Sequence, residues 1–303
     1  DAVAGAVVGA DTPLRLLTIA LLADGHALLE DVPGVGKTLL ARAFARALGL
    51  DFGRVQGTPD LLPGDVTGSS ILADGSFRFM PGPIFTNVLL VDEINRATPR
   101  TQSALLEAMQ EHQVSVDGET RALPEPFLVL ATQNPIELEG TFALPEAQLD
   151  RFLVRIGLGY PSEDEERSIA RRYRSSAEPL DAVEPVLDPA ALPALREATR
   201  AIAVSDEVEA YLVRLVRATR DHPDLQLGAS PRASVALYRA AQAAALLEGR
   251  DFVLPDDLTA LVVPVLTHRL VVDVDRELRG ATAAGVLEEI LGSVPVGVGA
   301  GVA

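Results

Sequence analysis

Apolar positions recur at helical spacing over 12–23, where Leu14, Leu17, Ile19, Leu21 and Leu22 share one side, and predict an opening helix. Residues 26–30 (HALLE) read as a short buried strand. A glycine-bearing loop and a helix over 37–48 follow. Two further runs, 87–91 (NVLLV) and 127–131 (FLVLA), are continuously apolar, the pattern of strands covered on both faces, and 154–158 reads as a third strand. Between them, 99–111 reads as a helix with Leu105, Leu106 and Met109 inward. Strands alternating with helices through the first 160 residues predict a doubly wound α/β layer.

Two segments interrupt that alternation. Residues 113–123 (QVSVDGETRAL) alternate about Asp117-Gly118, a hairpin signal. Residues 62–83 are rich in Gly and Pro and read as a loop with small strands at 70–72 and 77–80. After Tyr160 the pattern changes. Ser162 with Glu165 forms a capping box, and helical periodicity dominates from 188 onward, over 189–201, 205–221, 231–248, 255–266 and 283–291. Pro231 and Pro255 stand at helix starts. The expected division is a core over 1–174, a Pro- and acid-rich linker over 175–188 and a helical domain over 189–303, its tail frayed. A length of 303 residues suits two domains.

Composition narrows the function classes. A net charge of −17 argues against a general nucleic-acid binder. The chain has no Cys, and its four histidines (His26, His112, His222, His268) are too scattered for a metal cluster. No apolar run reaches the length of a membrane span, so no membrane insertion is expected. The opening DAVAGAVVGA lacks the charged leader and long apolar centre of a signal peptide, and a cytoplasmic location is expected. Among the basic residues, 25 are Arg and one, Lys37, is Lys. Arg does not replace Lys where a compact ammonium must enter a tight cradle, so composition alone singles out Lys37.

Lys37 stands in DVPGVGKT (31–38), after a strand and at the start of a helix. Gly34 and Gly36 let backbone N–H groups turn toward an oxyanion, and the helix adds its N-terminal dipole. Lys37 can reach the β- and γ-phosphates of a nucleotide, and Thr38 offers a hydroxyl to Mg²⁺. The outermost position of this loop pattern, ordinarily Gly, is Asp31. Asp92 and Glu93 end an apolar strand. Beside a phosphate loop, Asp92 would hold Mg²⁺, and Glu93 would orient and deprotonate the attacking water. Asn134 follows the strand FLVLA, and its amide can pin that water or the γ-phosphate. Arg151, in LDRF, can project into a neighbouring subunit's nucleotide as an arginine finger. Arg232 opens a helix of the second domain, against the helix dipole, and can reach phosphates from there. Arg96 is a weaker candidate for a subunit contact.

Together these stretches resemble the MoxR family of AAA+ ATPases. The matching segments are VVGAD, GHALLEDVPGVGKTLLARA, QGTPDLLPGDVTGS, FRFMPGPIF, VLLVDEINRATPRTQSALLEAMQE, VDGETRALPEPFLVLATQNP, EGTFALPEAQLDRF and GASPRA. They cover nearly all of 7–160 and one motif beyond. The resemblance implies a P-loop αβα core with a five-stranded parallel sheet, followed by an all-helical lid. It makes 62–83 the helix-2 insert and 113–123 the hairpin insert. It implies ATP/ADP contacts from Val8 and Gly9 at the adenine and from Val32, Pro33, Gly34, Val35, Gly36, Lys37, Thr38 and Leu39. Magnesium would sit on Thr38 and Asp92. Asn134 corresponds to sensor 1, Arg151 to the arginine finger and Arg232 to sensor 2.

Such proteins act as chaperone-like ring motors. The resemblance implies a homo-oligomeric ring, typically a hexamer. It also implies a von Willebrand factor A-domain partner and a client protein that is remodelled, matured or loaded with metal. A chelatase motor subunit shares the core motifs and stands as the alternative. A nucleic-acid motor is less favoured, because the hairpin SVDGETRA carries one Arg against Asp117 and Glu119.

Overall fold

The computed structural model describes residues 2–3, 6–30, 32, 34–73, 75–134, 140–172 and 178–297. The chain forms two compact units, one of residues 1–144 and 156–193, the other of residues 145–155 and 194–303. The first runs through α1 (Asp11–Leu22), β1 (Ala27–Glu30), α2 (Lys37–Ala47), β2 (Phe52–Gln56), α3 (Pro63–Thr67), β3 (Gly68–Ala73), β4 (Ser76–Pro81), β5 (Val88–Asp92), α4 (Pro99–Glu111), β6 (Gln113–Val116), β7 (Glu119–Ala122) and β8 (Leu128–Gln133). After α5 (Glu146–Leu149) and β9 (Val154–Ile156) it resumes with α6 (Glu163–Arg172).

Five strands form one sheet in the order β2-β5-β8-β1-β9. The registers of β2 on β5, β5 on β8 and β8 on β1 are all parallel. Strands β1, β5 and β8 are almost wholly buried, as their unbroken apolar runs require when both faces are covered. Edge strand β2 (FGRVQ) buries only Val55, so it carries no run of that kind and the apolar pattern leaves it unread. His26 anchors the sheet to α4: its Nδ1 accepts from Val129 N (3.1 Å) and its Nε2 lies 2.9 Å from Met109 O. That histidine is a satisfied core residue.

The hairpin insert forms as expected. Val116 pairs with Glu119 about Asp117 (φ 53°) and Gly118 (φ 79°), the left-handed pair that a two-residue turn needs. The other insert is more ordered than a loop. It holds the one-turn helix α3 and a six-residue ladder of β3 on β4, longer than the strands read at 70–72 and 77–80. Arg121 of β7 lies over the Phe79 ring of β4, 4.0 Å from its centroid, a cation–π contact between the two inserts. Residues 178–188 of the expected linker, and 189–193 of the expected helical domain, belong to the first unit. Val186 N donates to Ala47 O at 2.8 Å, Arg46 Nε donates to Val183 O at 2.8 Å, and Leu180 and Val183 are buried. Residues 173–177 lie outside the described set, as does the end of the tail.

The second unit is helical: α7 (Leu192–Ala201), α8 (Asp206–Ala218), α9 (Pro231–Leu247), α10 (Pro255–Leu266), α11 (Val274–Glu277) and α12 (Ala283–Ser293). Between them lies one short antiparallel pair, β10 (Leu225–Leu227) on β11 (Val271–Val272), which helical periodicity could not foretell. Ser205 and Ser230 cap α8 and α9, accepting from Val208 N (3.4 Å) and Arg232 N (3.2 Å). Seven alanines of α9 are buried, among them Ala240, Ala241 and Ala244, and their small side chains let neighbouring helices approach closely. Residues 145–155, read from sequence as part of the core, belong to this unit.

Candidate active site

Parallel strands end on one side of a sheet, and adjacent strand ends there carry the sequence-read acids and amide. Asp92 closes β5 opposite Gln56 of β2, while Asn134 follows β8. Asp92 and Asn134 are buried; Glu93 is part-exposed. Glu93 holds a left-handed backbone (φ 54°, ψ 52°), uncommon for a residue with a side chain. Its N–H donates to Thr132 Oγ1 at 2.8 Å, and the Thr132 hydroxyl lies 3.4 Å from Asp92 Oδ1. One threonine of β8 therefore sets both acids.

Two residues of β2, which the sequence reading passed over, complete this cluster. Arg54 Nε donates to Asp92 Oδ2 at 2.6 Å. Gln56 Nε2 donates to Glu93 Oε2 at 3.1 Å, and Arg54 Nη2 donates to Gln56 Oε1 at 3.2 Å. Arg96 Nη1 donates to the same Glu93 oxygen at 3.2 Å, so this arginine, read as a candidate subunit contact, engages its own chain. Apart from Asp92 the cluster is reached by water, with the Arg54 side chain half exposed. Only the presence of Arg and Gln on a strand ending beside DE could have flagged it.

The phosphate loop fits an oxyanion. Gly34 (φ 87°) and Gly36 (φ 92°) take left-handed conformations, and a Cβ added at either would point into open space. Gly36 caps α2 without a side-chain hydrogen bond, and the loop runs directly into the N-terminus of this eleven-residue helix, the end whose dipole favours an anion. Lys37 and Thr38 occupy that turn. Asp31 and Pro33 lie outside the described residues; Val32 is part-buried before the loop.

A cleft of about 420 Å³, within the usual range for small-molecule sites, adjoins the loop. Val8, Gly9, Gly34, Val35, Gly36 and Leu39 line it, and so do Tyr160 and Glu165. Gly9 has φ +69°, and a Cβ there would stand 2.4 Å from Glu165 Oε1. The left-handed backbone therefore favours glycine, while the carboxylate end of the flexible Glu165 side chain can swing aside. Glu165 Oε2 accepts from Ser162 N and Oγ, each at 2.7 Å, and these bonds hold the carboxyl below its ordinary range. The capping box thus also places a carboxylate beside the cleft.

Thr38 and Asp92 suit Mg²⁺ as one hydroxyl and one carboxylate, the sparse protein donor set of an ion that keeps its waters and leans on phosphates. Among the described residues no three His, Cys, Asp or Glu side chains form a metal cluster. Arg151 follows α5, and Arg232 lies exposed in the first turn of α9; both belong to the helical unit. No helix among the described residues is long and apolar enough to cross a membrane.

Residues 26–154 match the family model for the ATPase family associated with various cellular activities (AAA), and residues 217–290 match the AAA lid domain. The chain is similar to uncharacterised protein YeaC of Bacillus subtilis, with 50% identity over 92% of this chain and 88% of that one. It is similar to Chaperone MoxR1 of Mycobacterium tuberculosis, with 47% identity over 89% of this chain and 74% of the relative. A crystal structure of a Cytophaga hutchinsonii protein superposes with a TM-score of 0.91 at 39% identity, covering 97% of this chain and 92% of the other. With the phosphate loop, the acid pair and the lid in one chain, this protein is an ATP hydrolase and belongs to the MoxR family of AAA+ ATPases.

Proposed function

We propose that this ATPase acts as a homo-oligomeric ring, most simply a hexamer, and spends each hydrolysis on remodelling or maturing a client protein with a von Willebrand factor A-domain partner. The observation that carries the reading is the division of the charged groups. The first unit holds the phosphate grip and the acids, whereas Arg151 lies in the second. A MoxR relative named as a chaperone supports the client-directed part. The cysteine-free composition suits the reducing cytoplasm in which we place it.

In this reading Lys37 and the loop N–H groups hold the β- and γ-phosphates, and the Val8–Gly9 cleft takes the adenine. Glu93 orients a water toward the γ-phosphorus and takes its proton, and Asn134 steadies the same water. The water oxygen bonds to phosphorus as the bond to the β,γ-bridging oxygen breaks, giving ADP and phosphate. Bound Mg²⁺, held by Thr38 and Asp92, would neutralise charge on the phosphate oxygens. Gln56 and Arg96 fix the Glu93 carboxylate, and Arg54 fixes that of Asp92. Arg151 of a neighbouring subunit meets the charge that builds on the γ-phosphoryl group.

A phosphate-release titration tests the shared site. Specific activity should rise with protein concentration as subunits assemble, and a von Willebrand factor A-domain protein should co-purify with the Glu93→Gln variant in ATP. Constant specific activity across the assembly range, with no such partner retained, would overturn the proposal.

A further inference from the structure

The segment that carries Arg151 is short. Helix α5 ends at Leu149, and Phe152 is wholly buried two residues after Asp150. What holds this segment comes from 116–119 residues further along the chain. Arg269, only 3% exposed, donates from Nε to Asp150 Oδ1 at 2.8 Å. Its Nη2 donates to Asp150 O (3.2 Å) and Phe152 O (2.8 Å), and its Nη1 to Leu153 O (3.2 Å) and Val265 O. One guanidinium thus holds backbone carbonyls on both sides of Arg151. His268 Nε2 lies 2.8 Å from Phe152 O, adding a second contact to the same stretch.

The Asp150 carboxylate also accepts from Ser230 Oγ at 3.1 Å. Ser230 caps α9 and accepts from Arg232 N, so the same carboxylate reaches the turn that presents Arg232. Stability alone does not require such a group: apolar residues of similar volume are often as stable as a buried ion pair. What a buried guanidinium supplies is direction, because its planar fork fixes several acceptors at set angles.

We propose that Arg269 is a positioning residue for Arg151: with Asp150 and Ser230 it locks the arginine-bearing segment to the start of α9, so that Arg151 and Arg232 are presented by one rigid body. This rests on the reading of Arg151 as the arginine that serves a neighbouring subunit. Nucleotide sensed through Arg232 then sets where Arg151 stands, and the signal passes between subunits without a separate relay.

The test uses the full-length protein with Arg269→Lys, Asp150→Asn and Arg151→Ala, each checked for folding by circular dichroism. Arg269→Lys keeps the charge and loses the fork. It and Asp150→Asn should lower kcat by about tenfold or more while KM for ATP moves by about twofold or less. Mixing either variant with Glu93→Gln subunits should restore turnover, because the inactive partner supplies a well-placed Arg151 to the variant's intact phosphate site. A merely structural defect would not be rescued by a neighbour. Wild-type kcat in both variants, or a loss confined to KM, overturns the positioning role, as does failure of the mixture where an Arg151→Ala mixture recovers. An unaffected Arg151→Ala removes the arginine-finger reading itself, and the positioning role with it.

Discussion

The two units treat charge in opposite ways. At the sheet ends of the first unit, Arg54 is 51% and Glu93 31% exposed, and their hydrogen bonds run between side chains that can exchange partners. In the helical unit Arg269 is 3% and Asp150 12% exposed, and the guanidinium is spent mostly on backbone carbonyls. Glu93, Arg54 and Arg96 stay where water lowers the cost of changing partner, and of this cluster only Asp92, 11% exposed, is as buried as Asp150. Charges that define geometry are buried and saturated, where a lost partner costs most. Chemistry lives in the first arrangement, alignment in the second.

The contrast is broken most directly at Glu93. Glu93→Gln keeps both Gln56 and Arg96 within reach but cannot take a proton. Turnover should fall by about 10²–10⁴-fold with ATP binding retained, read by single-turnover phosphate release beside a binding titration. Full turnover would take Glu93 out of the mechanism. Next in size is a paired stability measurement. Arg269→Met strands the Asp150 carboxylate and should cost about 3–5 kcal/mol in urea unfolding. Arg96→Met opens the part-exposed pair with Glu93 and should cost about 1 kcal/mol or less. Equal costs would erase the distinction between the two regions.

Gly9→Ala probes the cleft. The left-handed backbone and the Glu165 oxygen should together lower ATP affinity by about tenfold, measured by calorimetry. Gly9→Ala with Glu165→Ala should recover part of that loss. The smallest effect is a pH dependence in the helical unit. Burial, and then the neighbouring Arg269, holds His268 well below its ordinary pKa of 6.5. The folded state therefore binds this proton less readily than the unfolded chain. Stability from this group is complete above pH 6.5 and falls below it by about 1.4 kcal/mol per pH unit. His268→Gln should flatten the part of the pH 7.5–5.5 stability profile that this group accounts for; an unchanged slope would mean that other groups set it.

The same contrast explains what the sequence revealed. The phosphate loop, the acid pair after NVLLV, the Asp117-Gly118 turn and the Ser162–Glu165 capping box are local signals, each complete within a few residues. Strand β2 was hidden because an edge strand burying only Val55 has no apolar run, and Arg54 and Gln56 were hidden with it. The Arg269–Asp150 pair joins residues 119 apart, and no periodicity brings them together. For the same reason 145–155 read as core, although the fold draws it into the helical unit.

The account stands on a nucleoside triphosphate held by the glycine loop through Lys37. Calorimetric titration of ATP into the wild type and into Lys37→Ala, paired with phosphate release from both, tests it most directly. The account predicts measurable binding and turnover in the wild type and loss of both in the variant. Equal ATP affinity and equal turnover in the two proteins would contradict it.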